Sequence, residues 1–326
     1  MTIEKKFTSP LVSIIIPVRQ INDYIRESMP YILDLDYTNF EVLIFPDAGS
    51  NDAFDKTQII PTGEIGPAEK RDLALKYAKG EIFAFLDDDA YPRRDWLTHI
   101  VHNFSDSDVA AVGGPAVTPD NDSTAQKASG LVFESLMGGG TNRYRYVPVS
   151  ERFNVDDYPT VNFCIRRDIF KELGGFDTVY WPGEDTKLCL DIVYELGKKI
   201  VYEPKAVVYH HRRRLFKEHL KQISNYALHR GFFVKKFPKT SLRLGYFIPS
   251  IFLLYLILFP VWVMYYPVVL VPLVLYTVLL CLTMIHIIYN HKNIGLSVLT
   301  VMGIFLTHVF YGYYFLNGIT ARRLEK

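Results

Sequence analysis

The sequence predicts a doubly wound α/β domain followed by a membrane-embedded tail, and three observations carry that expectation. Short apolar runs alternate with helical spacing over roughly the first hundred residues, as parallel strands buried on both faces require. One of those runs, residues 81–86, ends in Asp87-Asp88-Asp89. From residue 244 to residue 290 there is no Asp, Glu, Lys or Arg at all.

The elements follow in chain order. Residues 11–16 read as a buried strand. Residues 23–35 carry Ile25, Met29, Ile32 and Leu33 at helical spacing. A second strand, 41–45, is closed by the turn-rich Pro46-Asp47-Ala48-Gly49-Ser50. Residues 67–78 read as one helix, ended by Gly80, and the strand leading to the Asp run comes next. Strand, helix, strand, helix, strand is half of a doubly wound sheet. Residues 95–160 mix a helix (96–104), a strand (109–112) and Gly-rich segments. This stretch is expected to form an acceptor half with mobile loops, with Gly138-Gly139-Gly140 as its hinge. A short helix (168–173) stopped by Gly174-Gly175, a longer one (185–196) and a strand (200–209) complete the domain.

A buried strand that ends in three carboxylates is costly unless something positive meets them. Strand side chains alternate, so Asp87 and Asp89 are expected to project together and Asp88 the other way. The carboxyl ends of strands are where open α/β sheets bind ligands. Paired hard oxygens there suit Mg²⁺ or Mn²⁺, held jointly with the phosphates of a nucleotide.

Bulk properties narrow the function class. The chain has 326 residues and a formal net charge of +1, which gives no sign of nucleic-acid binding. Cys164, Cys189 and Cys281 are odd in number and unrelated in spacing. They fit a reducing compartment rather than a disulfide framework or a zinc site. The polar residues 1–10 lead into an apolar run too short for a signal peptide, so the catalytic part is expected in the cytoplasm.

The order of motifs resembles that of the family 2 glycosyltransferases, which have the nucleotide-sugar-binding GT-A fold. Val12-Ser13-Ile14-Ile15-Ile16-Pro17-Val18 resembles their opening strand. Residues 46–52 resemble the "DDGSTD" turn, with Asp47 kept and Ala48 in place of the second Asp. Residues 66–72 resemble the "GPAxARN" helix start, with Asp72 where Asn is usual. Residues 85–97 resemble "FLDxDxxPxPxWL". Asn162 to Arg167, then Gly174-Gly175-Phe176-Asp177, then Gly183-Glu184-Asp185, resemble "NxxxRR…GGFDE…ED". The resemblance covers about residues 10 to 235.

The resemblance implies roles. Pro17, Asp47, Arg71, Asp87 and Asp88 would line the nucleotide-sugar site, with Asp47 reading the base edge. Asp89 would hold Mg²⁺ or Mn²⁺, a Lewis acid against the leaving diphosphate. Asp185 would be the general base on the acceptor hydroxyl, with Glu184 the alternative, and the single displacement would invert the anomeric centre. His210, or His211 beside it, would be a third metal ligand. Asn162 would touch the acceptor. Trp181, just ahead of Gly183-Glu184-Asp185, is a candidate to stack on an acceptor sugar face, with simple packing as the alternative.

The tail begins with ten Lys or Arg between residues 211 and 243 against one acid, Glu218. Such a stretch is a positive-inside signal and suits anionic membrane lipids or the phosphates of a polyprenyl carrier. Leu215, Leu220, Ile223 and Leu228 give it the apolar stripe of an interfacial helix. The expected organisation is a catalytic domain over 1–210, a basic interfacial segment over 211–243 and a membrane domain over 244–326. That last part has room for two or three spans of about 20 residues. Three spans would leave Arg322, Arg323 and Lys326 outside; Pro249 and Pro260 could instead mark a re-entrant first segment, leaving two. Processive members of the family carry "QxxRW", for which the nearest match is Gln222-Ile223-Ser224-Asn225-Tyr226. Without its Arg and Trp, one sugar per acceptor is expected. The acceptor class expected is a lipid-linked glycan, with bare polyprenyl phosphate, or a non-catalytic membrane scaffold, as the rival readings.

Overall fold

The computed structural model describes residues 9–149, 151–180 and 182–324. They divide into two compact units: Met1–Val117 with Pro148–His210, and Thr118–Val147 with His211–Lys326. Residues 118–147, placed by the sequence reading inside a continuous 1–210 domain, thus group with the C-terminal part.

The first unit contains strands β1 (Val12–Pro17), β2 (Phe40–Phe45), β3 (Thr57–Ile59), β4 (Ile82–Leu86), β5 (Ala90–Pro92), β6 (Val109–Gly113), β7 (Ala116–Val117), β8 (Phe153–Val155), β9 (Asn162–Arg166), β10 (Lys199–Tyr202) and β11 (Val208–His210). Eight form one sheet in the order β3-β2-β1-β4-β9-β6-β10-β8, and β5-β11-β7 form a second. β1 pairs parallel with β2 and β4, Ile15 lying beside both Leu43 and Phe85. β9 runs antiparallel between β4 and β6, so the large sheet is mixed. This is the GT-A arrangement that the motif order predicts.

Every residue of β1 and β4 is buried, which is why their sequences are continuous apolar runs rather than alternating ones. Ile14, Ile16, Val42, Ile44, Ala84 and Leu86 pack against Trp96, Ile100 and Val208 in one core. Two expected elements differ. The helix at 67–78 is two short ones, Pro67–Asp72 and Ala74–Tyr77. The strand at 200–209 is β10 and β11 in separate sheets, because a turn closed by Ala206 N donating to Glu203 O (3.1 Å) lies between them.

In the second unit the Gly-rich stretch is helical rather than a bare hinge. Helix Thr124–Glu134 starts with a capping box of Ser123 and Gln126, and helix Leu136–Gly139 follows it. The basic helix Lys217–Lys236 runs along helix Ile294–Thr320. Backbone contact between them relies on glycine: a Cβ on Gly231 would lie 2.2 Å from Phe315 O, and one on Gly318 2.0 Å from Leu228 O. His219 is clamped in the same interface, Nδ1 2.7 Å from Ser129 Oγ and Nε2 2.9 Å from Thr307 Oγ1. Burial pulls its pKa down to about 4, so it is neutral in this setting. Among the described residues, three helices, Leu244–Tyr265, Pro267–His291 and Ile294–Thr320, are long and apolar enough to cross a membrane.

Candidate functional site

The carboxyl ends of β1, β2 and β4 lie side by side, and each continues into a polar loop. The short helix Pro67–Asp72, with Gly66 at its N-cap and Pro67 at its first position, stands against them. Three successive residues of that helix bind four different segments. Lys70 Nζ donates to Val18 O (2.5 Å), just past Pro17, and to Asp47 Oδ1. Arg71 Nη2 donates to Asp87 Oδ1 at 2.6 Å, and its Nη1 lies 3.6 Å from Glu184 Oε1. Asp72 Oδ1 accepts from Phe176 N at 2.8 Å, in the turn that leads to Glu184 and Asp185. Arg71 and Glu184 are both buried, so their pairing leaves neither charge uncompensated. Arg71 Nε is buried and has no partner among the described residues, a donor that a bound anion would satisfy.

Asp72 is perturbed by the same enclosure. Burial first, then the neighbouring Glu69 and Glu184, push its pKa up to about 7, against the Phe176 N–H and Arg71, which pull it down.

Asp87, Asp88 and Asp89 occupy a turn closed by Ala90 N donating to Asp87 O at 3.1 Å, not the strand itself. Asp88 leaves the group as expected: its Oδ2 accepts from Asn22 Nδ2 at 2.7 Å. Asn22 caps helix Asp23–Leu33 through Ile25 N, so Asp88 ties the turn to that helix. The turn continues into β5, whose Ala90 pairs with His210 of β11. That register brings His210 Nε2 to 3.0 Å from Asp89 Oδ1. His211, next along the chain, turns instead to Asp122, Nδ1 to Oδ1 2.6 Å.

Ligand atoms of Asp87, Asp89 and His210 all lie within 4.8 Å of one another. Neighbouring ligands of an octahedral ion bound at about 2.1 Å stand about 3 Å apart, close to the His210–Asp89 spacing. Two carboxylates with one imidazole form a donor set that Mn²⁺ accepts. The cluster therefore fits a divalent cation.

The acceptor-side residues separate. Glu184 is buried, its Oε2 accepting from Gly183 N at 2.9 Å. Asp185, the second residue of helix Glu184–Leu190, is half-buried and accepts from Thr186 N at 2.7 Å. Asn162 is fully enclosed: its Oδ1 accepts from Trp96 Nε1 (2.9 Å) while Nδ2 donates to Ala206 O (2.8 Å) and Pro115 O (3.3 Å). An amide spent on three protein groups holds strands together and presents nothing to an acceptor. Trp181 lies outside the described residues.

Residues 13–174 match the model of glycosyl transferase family 2. The chain carries a glycosyl transferase family 2 domain. The pre-mycofactocin glycosyltransferase of Mycobacterium tuberculosis is 32% identical over 152 residues, 46% of this chain and 31% of the relative. The chain thus matches about a third of that protein's length. The glucosyl-dolichyl phosphate glucuronosyltransferase of Haloferax volcanii is 25% identical over 221 residues, 61% of this chain and 68% of the relative. A solved mannosyltransferase of Pyrobaculum calidifontis, in complex with GDP-Man and Mn²⁺, superposes with a TM-score of 0.54 at 17% identity, over 95% of this chain and 86% of its own. That likeness shows the GT-A fold. Within the family 2 domain, Lys70 is the site residue that motif matching passes over. The signal was present, since the "GPAxARN" pattern has Ala at its place.

Proposed function

We propose that this protein is an inverting, metal-dependent glycosyltransferase that moves one sugar from a nucleotide sugar, a uridine diphosphate sugar, to a lipid-linked saccharide at the cytoplasmic face of a membrane. The observation that carries the reading is the Asp87–Asp89–His210 cluster in a family 2 domain whose chain continues into three apolar helices. Bound there, Mg²⁺ or Mn²⁺ supplies positive charge against the diphosphate leaving group. Arg71 orients Asp87 beside that charge and offers its Nε to a phosphate oxygen. Asp185 takes the proton of the acceptor hydroxyl as it attacks the anomeric carbon. Glu184, committed to Arg71 and Gly183, holds the helix that presents Asp185. The Haloferax relative, named for a glucosyl-dolichyl phosphate acceptor, supports a lipid-linked saccharide.

The tail supports an even number of complete crossings, two. Lys235 Nζ donates to Ala321 O at 2.7 Å, so the last apolar helix ends beside the end of the basic helix. The first apolar helix departs from the same region: Phe247 packs on Phe315, ring centroids 5.0 Å apart. A start and an end on one face leave Leu244–Tyr265, with Pro249 and Pro260 inside it, as the re-entrant segment. Arg322 and Arg323 then join the other basic residues on the cytoplasmic side, as the positive-inside rule asks.

The test is a thermal-shift titration of detergent-purified full-length protein with UDP, GDP, dTDP and CMP, with and without Mn²⁺, beside Asp89→Asn. Metal-dependent stabilisation by one nucleotide, lost in the variant, is expected. A folded protein that no nucleotide stabilises would overturn the reading. Transfer to polyprenyl phosphate alone would replace the proposed acceptor.

A further inference from the structure

Lys70 is an ammonium group in an enclosed place, its side chain 3% exposed. Burying such a charge costs several kcal/mol unless partners compensate it. Val18 O and Asp47 Oδ1 take two of its three N–H groups. Asp47 is more open, its side chain 24% exposed, so the pair faces outward through the carboxylate.

The position of the pair says what it meets. Asp47 follows β2 and Asp87 follows β4, with β1 between them. Strands lie about 4.8 Å apart, so the two carboxylates stand two spacings, roughly 10 Å, from each other along the sheet edge. A diphosphate held at the Asp87–Asp89–His210 cluster, with its ribose leading toward β2, carries its base to Asp47 and Lys70. The same short helix serves both ends, Lys70 at the base and Arg71 at the phosphates.

Resting on the glycosyltransferase reading above, we infer that Lys70 is a specificity-determining residue which, with Asp47, reads a uracil base. Asp47 accepts the ring N3–H, and Lys70 donates its remaining N–H to the C4 carbonyl beside it. Cytosine offers a bare ring nitrogen and an amine at those two positions, so each would face its own kind: lone pair against carboxylate, N–H against ammonium. Charged hydrogen bonds of this type separate the two bases by about tenfold or more.

The test compares UDP with CDP, which differ only at those base positions, and with inorganic pyrophosphate, which has no base. Each is titrated with Mn²⁺ into full-length protein by calorimetry. The unaltered protein is expected to prefer UDP over CDP by about tenfold or more. Lys70→Ala, which installs the residue of the "GPAxARN" pattern, is expected to lower the UDP to CDP ratio by removing one of the two discriminating contacts, and to leave pyrophosphate unchanged. An unchanged UDP to CDP ratio in Lys70→Ala would overturn the inference alone. So would a parallel loss of pyrophosphate affinity, which would assign Lys70 to the phosphates. An unaltered protein that binds UDP without preferring it to CDP also overturns the inference alone. If it binds neither nucleotide nor pyrophosphate, the transferase reading fails and the inference with it. Should Lys70→Ala not fold, Asp47→Asn gives the same readout. Its amide keeps the size and loses the charge, and a UDP to CDP ratio that stays as in the unaltered protein overturns the inference.

Discussion

His210 Nε2 stands 3.0 Å from Asp89 Oδ1, although 121 residues separate the two along the chain. The contact exists because β5 begins one residue after Asp89 and pairs with β11, Ala90 opposite His210. A metal bound there would have both groups as ligands. Asp89→Asn is expected to abolish the Mn²⁺-dependent part of nucleotide stabilisation. His210→Ala is expected to weaken it about tenfold or more, the usual scale for losing one charge-assisted contact. Mn²⁺ titrations monitored by thermal shift would read both; unchanged Mn²⁺ dependence in the two variants would rule the cluster out.

Asp72 makes the first unit sensitive to pH. Its pKa rises from 3.8 to about 7 on folding, so the folded chain favours the protonated form. The stability this group contributes is complete below about pH 4 and is lost as pH climbs through 7. Asp72→Asn keeps an oxygen for Phe176 N and removes the charge. The variant is expected to melt about 2–4 °C higher than the unaltered protein at pH 8 and equally at pH 4.5, for an effect of about 1 kcal/mol. Equal melting temperatures at both values would contradict the enclosure of this carboxyl.

Arg71 carries two carboxylates at once. Removing it strands Glu184, which is 5% exposed, beside Asp72. Arg71→Ala is expected to cost about 3–5 kcal/mol of unfolding free energy, the penalty for breaking a buried pair. Arg71→Lys keeps the charge without the fork and should fall between. Urea unfolding measures this; a change below about 1 kcal/mol in Arg71→Ala would mean that the pairs contribute little.

Asn162 provides a contrast between holding and binding. Asn162→Ala breaks three enclosed hydrogen bonds, those with Trp96, Pro115 and Ala206. The variant should lose about 2–4 kcal/mol of stability while the KM for acceptor stays as in the unaltered enzyme. A raised acceptor KM with undiminished stability would return Asn162 to the acceptor site.

Lys235 Nζ donates to Ala321 O, which brings two distant chain segments together, and the proposed two-crossing topology puts both on one face of the membrane. In a Cys281→Ser background, single cysteines at Lys236 and Arg322 should react with a membrane-impermeant maleimide from the same side of sealed vesicles. Labelling from opposite sides would require an odd number of crossings. Gly318→Leu should loosen the same pairing, because its Cβ would lie 2.0 Å from Leu228 O.

What the sequence determined by itself was whatever neighbouring residues encode. Buried strands announce themselves as continuous apolar runs, so β1, β2 and β4 were legible within a residue or two, as was the carboxylate run at the end of β4, although not the turn that it forms. The uncharged stretch after Arg243 was equally plain, since it exceeds twice the length of about 20 apolar residues that one span needs. Tertiary structure decided the pairings between distant residues. Nothing local distinguishes His210 from His211; the register of β11 with β5 does, because adjacent strand residues face opposite ways. Nothing local shows Asn162 to be enclosed, or Lys70 to be an inward-facing cation. Those facts arise from strands and helices brought together at the sheet edge, where a buried charge must find its partner wherever the fold supplies one. The same holds for residues 118–147, whose capped helix joins the second unit because Ala128 and Val132 pack against Leu296 and Ile304.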